Sequence, residues 1–269
     1  QTIKGPREVW TTFGPDQIDV NWKEPFLLIE YLKLIVLYLK NGISWLRLDA
    51  VGYIWKEPGT RCIHEKNAHN IVKIIRILLN ILINNGVLVT ETNVPEKENL
   101  SYLVTGDEAN IAYNFSLPPL ILEAIISQKT DLLNKWLRNW PSLPRKTLFL
   151  NFTSCHDGIG LVPLKGLMSK VRIKNLLYEC EVKGGLISHR TMPEGEEEPY
   201  ELNISWWSAM KGKNNEINSL QSDRFLLSQL FVMALPGIPA FYLQALLACE
   251  NDLDTFKRTG QRRDINRKK

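Results

Sequence analysis

The chain has 269 residues, 44% of them hydrophobic and 23% charged, with a formal net charge of +4. That balance suits a globular protein with room for one large domain or two small ones. The charge is uneven: residues 257–269 carry +6 and the rest of the chain −2. This reads as a basic tail on a near-neutral body. Basic residues interleaved with aromatics do not run across that body, so a nucleic-acid partner is not expected. The four cysteines, Cys62, Cys155, Cys180 and Cys249, form no CxxC pair, so neither a zinc site nor a dense disulfide framework is expected. The polar start Gln1-Thr-Ile-Lys-Gly-Pro is no signal peptide, and the apolar run 26–39 is broken by Glu30 and Lys33, so no membrane span is expected. Reduced thiols point to the cytoplasm.

Residues 1–22 lack helical periodicity and read as a loop. Pro25 suits a first helical turn, and the apolar run to Leu39 is predicted as a helix closed by Asn41-Gly42. A short strand is predicted over Ile43–Asp49. Ile71, Ile74, Ile75, Leu78, Leu79 and Leu82 share one helical face, and Asn84-Asn85-Gly86 stops that helix. Strands are then predicted at Val87–Glu91, Asn110–Phe115 and Thr147–Phe152, with a helix over Pro119–Trp136 between the last two. Residues from about 165 to 218 read as a long polar insertion with some irregular structure. A helix over Arg224–Leu235 and a strand over Pro236–Tyr242 follow.

This alternation predicts a parallel α/β sheet. Polar residues at most strand ends favour a barrel, whose chemistry sits at that rim. The competing open doubly wound sheet would carry a Gly-rich phosphate turn after a strand, and none is present. Five strands are counted where a closed barrel has eight, so three βα units are expected to be missing.

Three acids stand at strand ends: Asp49, Glu91 and Asp157, separated by 42 and 66 residues. One βα unit takes about 30 residues or more. Asp49 and Glu91 therefore fit adjacent strands, and Asp157 fits a skip of one. A carboxyl pair about 5–5.5 Å apart is the machinery of a retaining glycosidase. A strand-end acid also serves as a helix cap or a surface residue, so spacing leaves both readings open.

The surrounding residues narrow the choice. Arg47-Leu-Asp49-Ala-Val-Gly-Tyr53 resembles the nucleophile motif of the α-amylase superfamily, Thr90-Glu91-Thr-Asn its acid/base strand, and His156-Asp157 its strand-seven motif. Thr12-Phe-Gly-Pro-Asp-Gln-Ile-Asp19-Val-Asn21 resembles the motif before its fourth strand. All four stand in the family's order. Six further segments are similar to the sucrose phosphorylase subfamily of glycoside hydrolase family 13, and to its glucosylglycerate and glucosylglycerol branch. They are Trp55-Lys-Glu-Pro-Gly-Thr60, Glu91-Thr-Asn-Val-Pro95, Asn114-Phe-Ser-Leu-Pro-Pro119, His156-Asp-Gly-Ile-Gly160, Pro199-Tyr-Glu-Leu-Asn203 and Arg258-Thr-Gly-Gln-Arg-Arg-Asp-Ile-Asn-Arg267.

The resemblance implies an (β/α)8 barrel of the α-amylase type, incomplete, with strands four to eight present. Residues 1–22 would be the tail of the small domain inserted after strand three, 23–164 strands four to seven, 165–218 the acceptor and phosphate loop region, and 219–269 the last helix, strand eight and its loop. It implies reversible glucosyl transfer between a sucrose-like glucoside and inorganic phosphate through a covalent intermediate. The alternatives are an α-glucoside hydrolase and an inactive barrel fragment. Asp49 would be the nucleophile, Glu91 the acid/base, and Asp157 the stabiliser of the cationic transition state. Arg47, two residues before Asp49, shares its strand face, and a cation there favours the ionised carboxylate. His156 and Arg263 would contact the glucosyl group, and His156 also suits plain packing. Tyr53 and Trp55 could form a platform for a sugar ring or simply core. Arg190 would contact phosphate. His64 and His69 are assigned no chemistry. No metal or cofactor is expected, phosphate being a co-substrate, although Asp19 stands where calcium-binding relatives place a ligand. The partners implied are sugar and phosphate, with a second chain possible for the missing strands. A half-barrel is expected to expose apolar surface and strand edges, and to fold poorly or turn over little alone.

Overall fold

The computed structural model describes residues 5–6, 8–191, 195–212 and 219–268. Parts of the expected segments 1–22, 165–218 and 219–269 lie outside the described residues. The chain divides into two compact units. The first comprises Gln1–Thr92, Ser101–Ala112 and Pro144–Thr147, and the second Asn93–Leu100, Tyr113–Leu143 and Leu148–Lys269.

In the first unit, Pro25 opens helix α1 (Pro25–Lys40), with the Glu24 side chain accepting from the Phe26 amide and Asn41 closing the helix. Strand β1 (Trp45–Leu48), helix α2 (Lys66–Leu82), strand β2 (Val87–Thr90) and strand β3 (Ile111–Tyr113, whose last residue enters the second unit) follow. β1 pairs with β2 and β2 with β3, both parallel, with Leu48 opposite Thr90 and Thr90 opposite Ala112. The α2 stripe is rotated from the one the isoleucine and leucine spacing predicts. Ala68, Ile71, Val72, Ile75 and Leu79 are buried, whereas Ile74 and Leu82 are partly exposed. Ala68 and Val72 are fully buried, so the inner face is centred on these smaller side chains.

The second unit holds short helix α3 (Glu96–Leu100), helices α4 (Leu117–Ser127) and α5 (Asp131–Arg138), and strand β4 (Leu148–Asn151). The single helix expected over Pro119–Trp136 is two. Gln128 ends α4 in the left-handed region at φ 56°, which a helix cannot continue through. Next come strand β5 (Ile159–Gly160), helix α6 (Lys170–Val182), strands β6 (Leu186–Thr191) and β7 (Glu197–Asn203), and short helix α7 (Trp206–Ala209). Among the described residues of the expected insertion, β6 and β7 join β5 in an antiparallel sheet, and α6 carries Leu176, Leu177 and Cys180 into the core. Burial pushes the Cys180 thiol up to about 12. Polar residues on the hairpin's other face masked this pattern in the sequence.

Helix α8 (Leu220–Ala234) and strand β8 (Ile238–Pro239) lead to helices α9 (Leu243–Leu246) and α10 (Leu253–Thr259) and a 3₁₀ turn at Arg262–Asn266. β8 runs parallel to β4. Buried Asn151 ties them: its amide donates to the Pro236 carbonyl, and its own carbonyl accepts from Ala240. The core of this unit joins Leu117, Leu120 and Leu122 of α4 to Trp206 of α7 and Val232 of α8.

Two faces stay uncovered within their own units. On α1, Phe26, Ile29, Leu34 and Leu37 are exposed; on α8, Leu226, Leu227, Leu230 and Met233 are exposed. Among the described residues no helix is long and apolar enough to cross a membrane.

Candidate active site

In the first unit the parallel register sets Leu48 beside Thr90, so the acids that follow leave the sheet at one end. The backbone N–H of Ala50 donates to the Glu91 carboxylate at 2.9 Å, and the Glu91 amide donates to the Leu48 carbonyl at 3.1 Å. Ala50 itself sits in the left-handed region at φ 45°. Asp49 and Glu91, 42 positions apart, thereby share one small region. Arg47 reaches Asp49 Oδ1 at 2.6 Å, and the Asp49 side chain is 76% exposed.

Around this pair the other sequence-predicted residues hold defined places. The Tyr53 ring meets Phe13 edge-on at 5.5 Å, and the Tyr53 carbonyl accepts from Lys56 Nζ at 2.6 Å. Trp55 donates to Glu57, and Lys23 lies over the Trp55 ring while pairing with Glu57. Lys56 also binds Asp19 at 2.8 Å and Thr12 at 2.6 Å, and Thr12 donates to Asp19. Burial alone would raise the Asp19 pKa, but the Lys56 and Thr12 bonds outweigh it and hold the carboxyl below the usual range. An ammonium thus stands where a cation bound by Asp19 would lie. His64 bonds the Tyr102 hydroxyl at 2.9 Å, and His69 bonds buried Glu108 at 2.7 Å while stacking on Tyr102. Both histidines are structural parts of this unit.

In the second unit Asp157 is the centre of a separate network. Its Oδ1 accepts from Arg263 Nη1 at 2.7 Å and Arg267 Nη2 at 3.2 Å, while His156 Nε2 lies 3.4 Å from Oδ2. His156 is more than half exposed, so it is not a packed core histidine. Asn266 Nδ2 donates to the carbonyls of Cys155 and Asp157, and Arg267 Nε donates to the carbonyl of His156, so the basic tail is folded onto this loop. Arg190 pairs with Glu198 across the β6–β7 hairpin at 2.8 Å and lies over the Tyr200 ring. Any anion bound by Arg190 therefore competes with Glu198. Cys155, His156 and Asp157 place ligand-type atoms within 4.8 Å of one another. Two guanidiniums on Asp157 make that spot hostile to a divalent cation. A cavity of about 850 Å³ in the second unit is lined by Glu123, Asp131, Arg172 and Glu179, and by none of the groups named above.

Sequence reasoning passed over Glu201. It is 2% exposed on β7, and both its oxygens engage Arg263. An acid set between Tyr200 and Leu202, on a chain with a concentrated basic tail, was the available signal. Burial pulls the Arg263 pKa down, but the bond and charge of Glu201 and the charge of Asp157 outweigh it, so the group ends above its ordinary value.

Comparison with known proteins adds the following. No protein-family model matches the chain. It is 39% identical to glucosylglycerate phosphorylase of Escherichia coli (strain K12) over 98% of its own length and 47% of that protein. It is also 39% identical to glucosylglycerate phosphorylase of Spirochaeta thermophila, over 100% of its length and 46% of the relative. Its fold matches the crystal structure of sucrose 6F-phosphate phosphorylase from Thermoanaerobacter thermosaccharolyticum with a TM-score of 0.81 and 25% identity, over 96% of this chain and 51% of that one. The chain spans about half the length of the curated relatives it matches. The α/β fold is therefore that of an incomplete barrel of the α-amylase type.

Proposed function

We propose that this chain, 39% identical to two glucosylglycerate phosphorylases of which it spans about half, belongs to the sucrose phosphorylase subfamily of glycoside hydrolase family 13 and carries the reacting carboxylates of a retaining α-glucosyl phosphorylase. Asp49 attacks the anomeric carbon and forms a glucosyl ester while Glu91 protonates the leaving oxygen. Phosphate then attacks the same carbon, Glu91 takes back a proton, and α-glucose 1-phosphate leaves with Asp49 free again. Arg47 orients Asp49. Within the second unit, Asp157 with His156 and Arg263 forms a group suited to holding sugar hydroxyls. Tyr53 lines the sugar side, and Arg190 takes phosphate by exchanging it for Glu198.

One observation carries the reading: the Ala50 amide holds the Glu91 carboxylate one residue beyond Asp49. The two relatives at 39% identity favour glucosylglycerate as the glucoside over sucrose. The exposed rows on α1 and α8 support a further expectation, that barrel strands one to three come from other polypeptide and cover them. We place the activity in the cytoplasm, where inorganic phosphate is abundant and thiols stay reduced.

The test is to incubate the protein with glucosylglycerate and phosphate, alone and with a polypeptide supplying the first three βα units, and to follow glucose 1-phosphate. Formation that vanishes in D49N supports the reading. Glucose without glucose 1-phosphate points to the hydrolase, and no product under either condition points to an inactive fragment.

A further inference from the structure

We propose that Glu201 is a positioning residue for the glucosyl site: it fixes the Arg263 guanidinium so that only one edge faces Asp157. The proposal rests on the function given above. Arg263 offers a planar fork of donors. Glu201 takes two of them, Oε1 accepting from Nε at 3.0 Å and Oε2 from Nη2 at 2.6 Å. The remaining nitrogen, Nη1, then points at Asp157 Oδ1 at 2.7 Å. A bidentate carboxylate–guanidinium pair sets orientation as well as charge, so the plane of Arg263 is fixed by Glu201 and not by Asp157.

Glu201 also acts on Asp157 through the backbone. Its Oε1 accepts from the Gly158 amide at 3.0 Å, which holds the peptide just after Asp157. This approach requires glycine: a Cβ at residue 158 would meet Glu201 Cγ and Oε1 at 2.6 Å. With Arg263 and Arg267 both on Oδ1, the other oxygen of Asp157 is left beside His156, the side on which a sugar hydroxyl can donate. A carboxylate that merely balanced Arg263 would need neither the bidentate geometry nor the link to Gly158. Glu201 sits on β7 and Arg263 in the turn Arg262–Asn266, so the contact also sets the hairpin against the tail of the same unit.

The test compares wild type, E201Q, R263K and the double variant in the assembled enzyme, reading kcat and KM for glucosylglycerate and for phosphate, melting temperature, and exchange of the Arg263 Nε–H by NMR. Glutamine keeps shape but presents a donor to one arm of the fork. E201Q is expected to lower kcat for glucosyl transfer at least about tenfold, with KM for phosphate unchanged. The double variant is expected to be no worse than R263K, because residues acting as one unit are not additive. Unchanged kcat in E201Q, or fully additive losses, overturns the proposal even where the melting temperature falls. If wild type makes no glucose 1-phosphate, the proposed function fails, and the exchange measurement still decides the positioning. Protection of the Arg263 Nε–H that is lost in E201Q supports it, and an Nε–H that exchanges as fast in wild type as in E201Q overturns it.

Discussion

The amide of Ala50 donates to the carboxylate of Glu91 at 2.9 Å, which joins the residue after one candidate catalytic acid to the side chain of the other. The donor is fixed by the backbone beside the β1–β2 register, so the tie holds as long as the Glu91 side chain keeps its rotamer. Replacing Glu91 with glutamine keeps an acceptor for that N–H but removes the transferable proton. E91Q is expected to retain wild-type stability and to cleave glucosylglycerate about 10²–10⁴-fold more slowly, measured as glucose 1-phosphate release. Equal rates in E91Q and wild type would remove Glu91 from the chemistry.

Arg172 clamps two helices. Its guanidinium donates to Glu123 of α4 at 2.8 Å and to Asp131 of α5 at 2.7 Å, and the Glu123 side chain is only 5% exposed. R172M would strand a buried charge at a cost of about 3–5 kcal/mol. Adding E123Q to R172M is expected to restore most of that loss, as read by denaturant midpoints. If R172M unfolds at the wild-type midpoint, the clamp contributes nothing.

Glu96 gives a pH signature. Burial raises its pKa above the ordinary 4.5, and the bond from Trp136 Nε1 only partly offsets this. The folded chain thus holds that proton to higher pH than the unfolded chain. Stability from this group is fully present below 4.5 and declines as pH rises through the folded value. Melting temperature scanned from pH 4 upward should fall less steeply in E96Q. Parallel curves for the two proteins would contradict the assignment.

Gly237 is needed where β8 begins. At φ 132° it occupies backbone space closed to side chains, and an added Cβ would meet the Phe149 carbonyl oxygen at 2.5 Å and the Asn151 amide at 2.8 Å. G237A is expected to destabilise the second unit by about 1–3 kcal/mol through backbone strain, with loss of the Asn151–Pro236 bond detectable by hydrogen exchange. A neutral G237A would show that this approach can relax.

Periodicity and glycine punctuation alone located α1, α2, β1 to β4 and α8, because each is long or apolar enough for local rules to decide. The motifs at Asp49, Glu91 and Asp157 were legible through their resemblance to the α-amylase superfamily, since strand-end position alone leaves a helix cap or a surface residue open. Contacts between residues far apart in the chain were not legible. Nothing local says that Gln128 would turn left-handed and split a helix, that Leu186–Thr191 would pair with Glu197–Asn203, or that Lys56 would reach Asp19. Glu201 shows why most clearly. A buried acid is tolerable only beside its counter-charge, and that counter-charge, Arg263, lies 62 residues away. Only the folded chain brings the two within a hydrogen bond, so tertiary structure alone decided the partner of this acid.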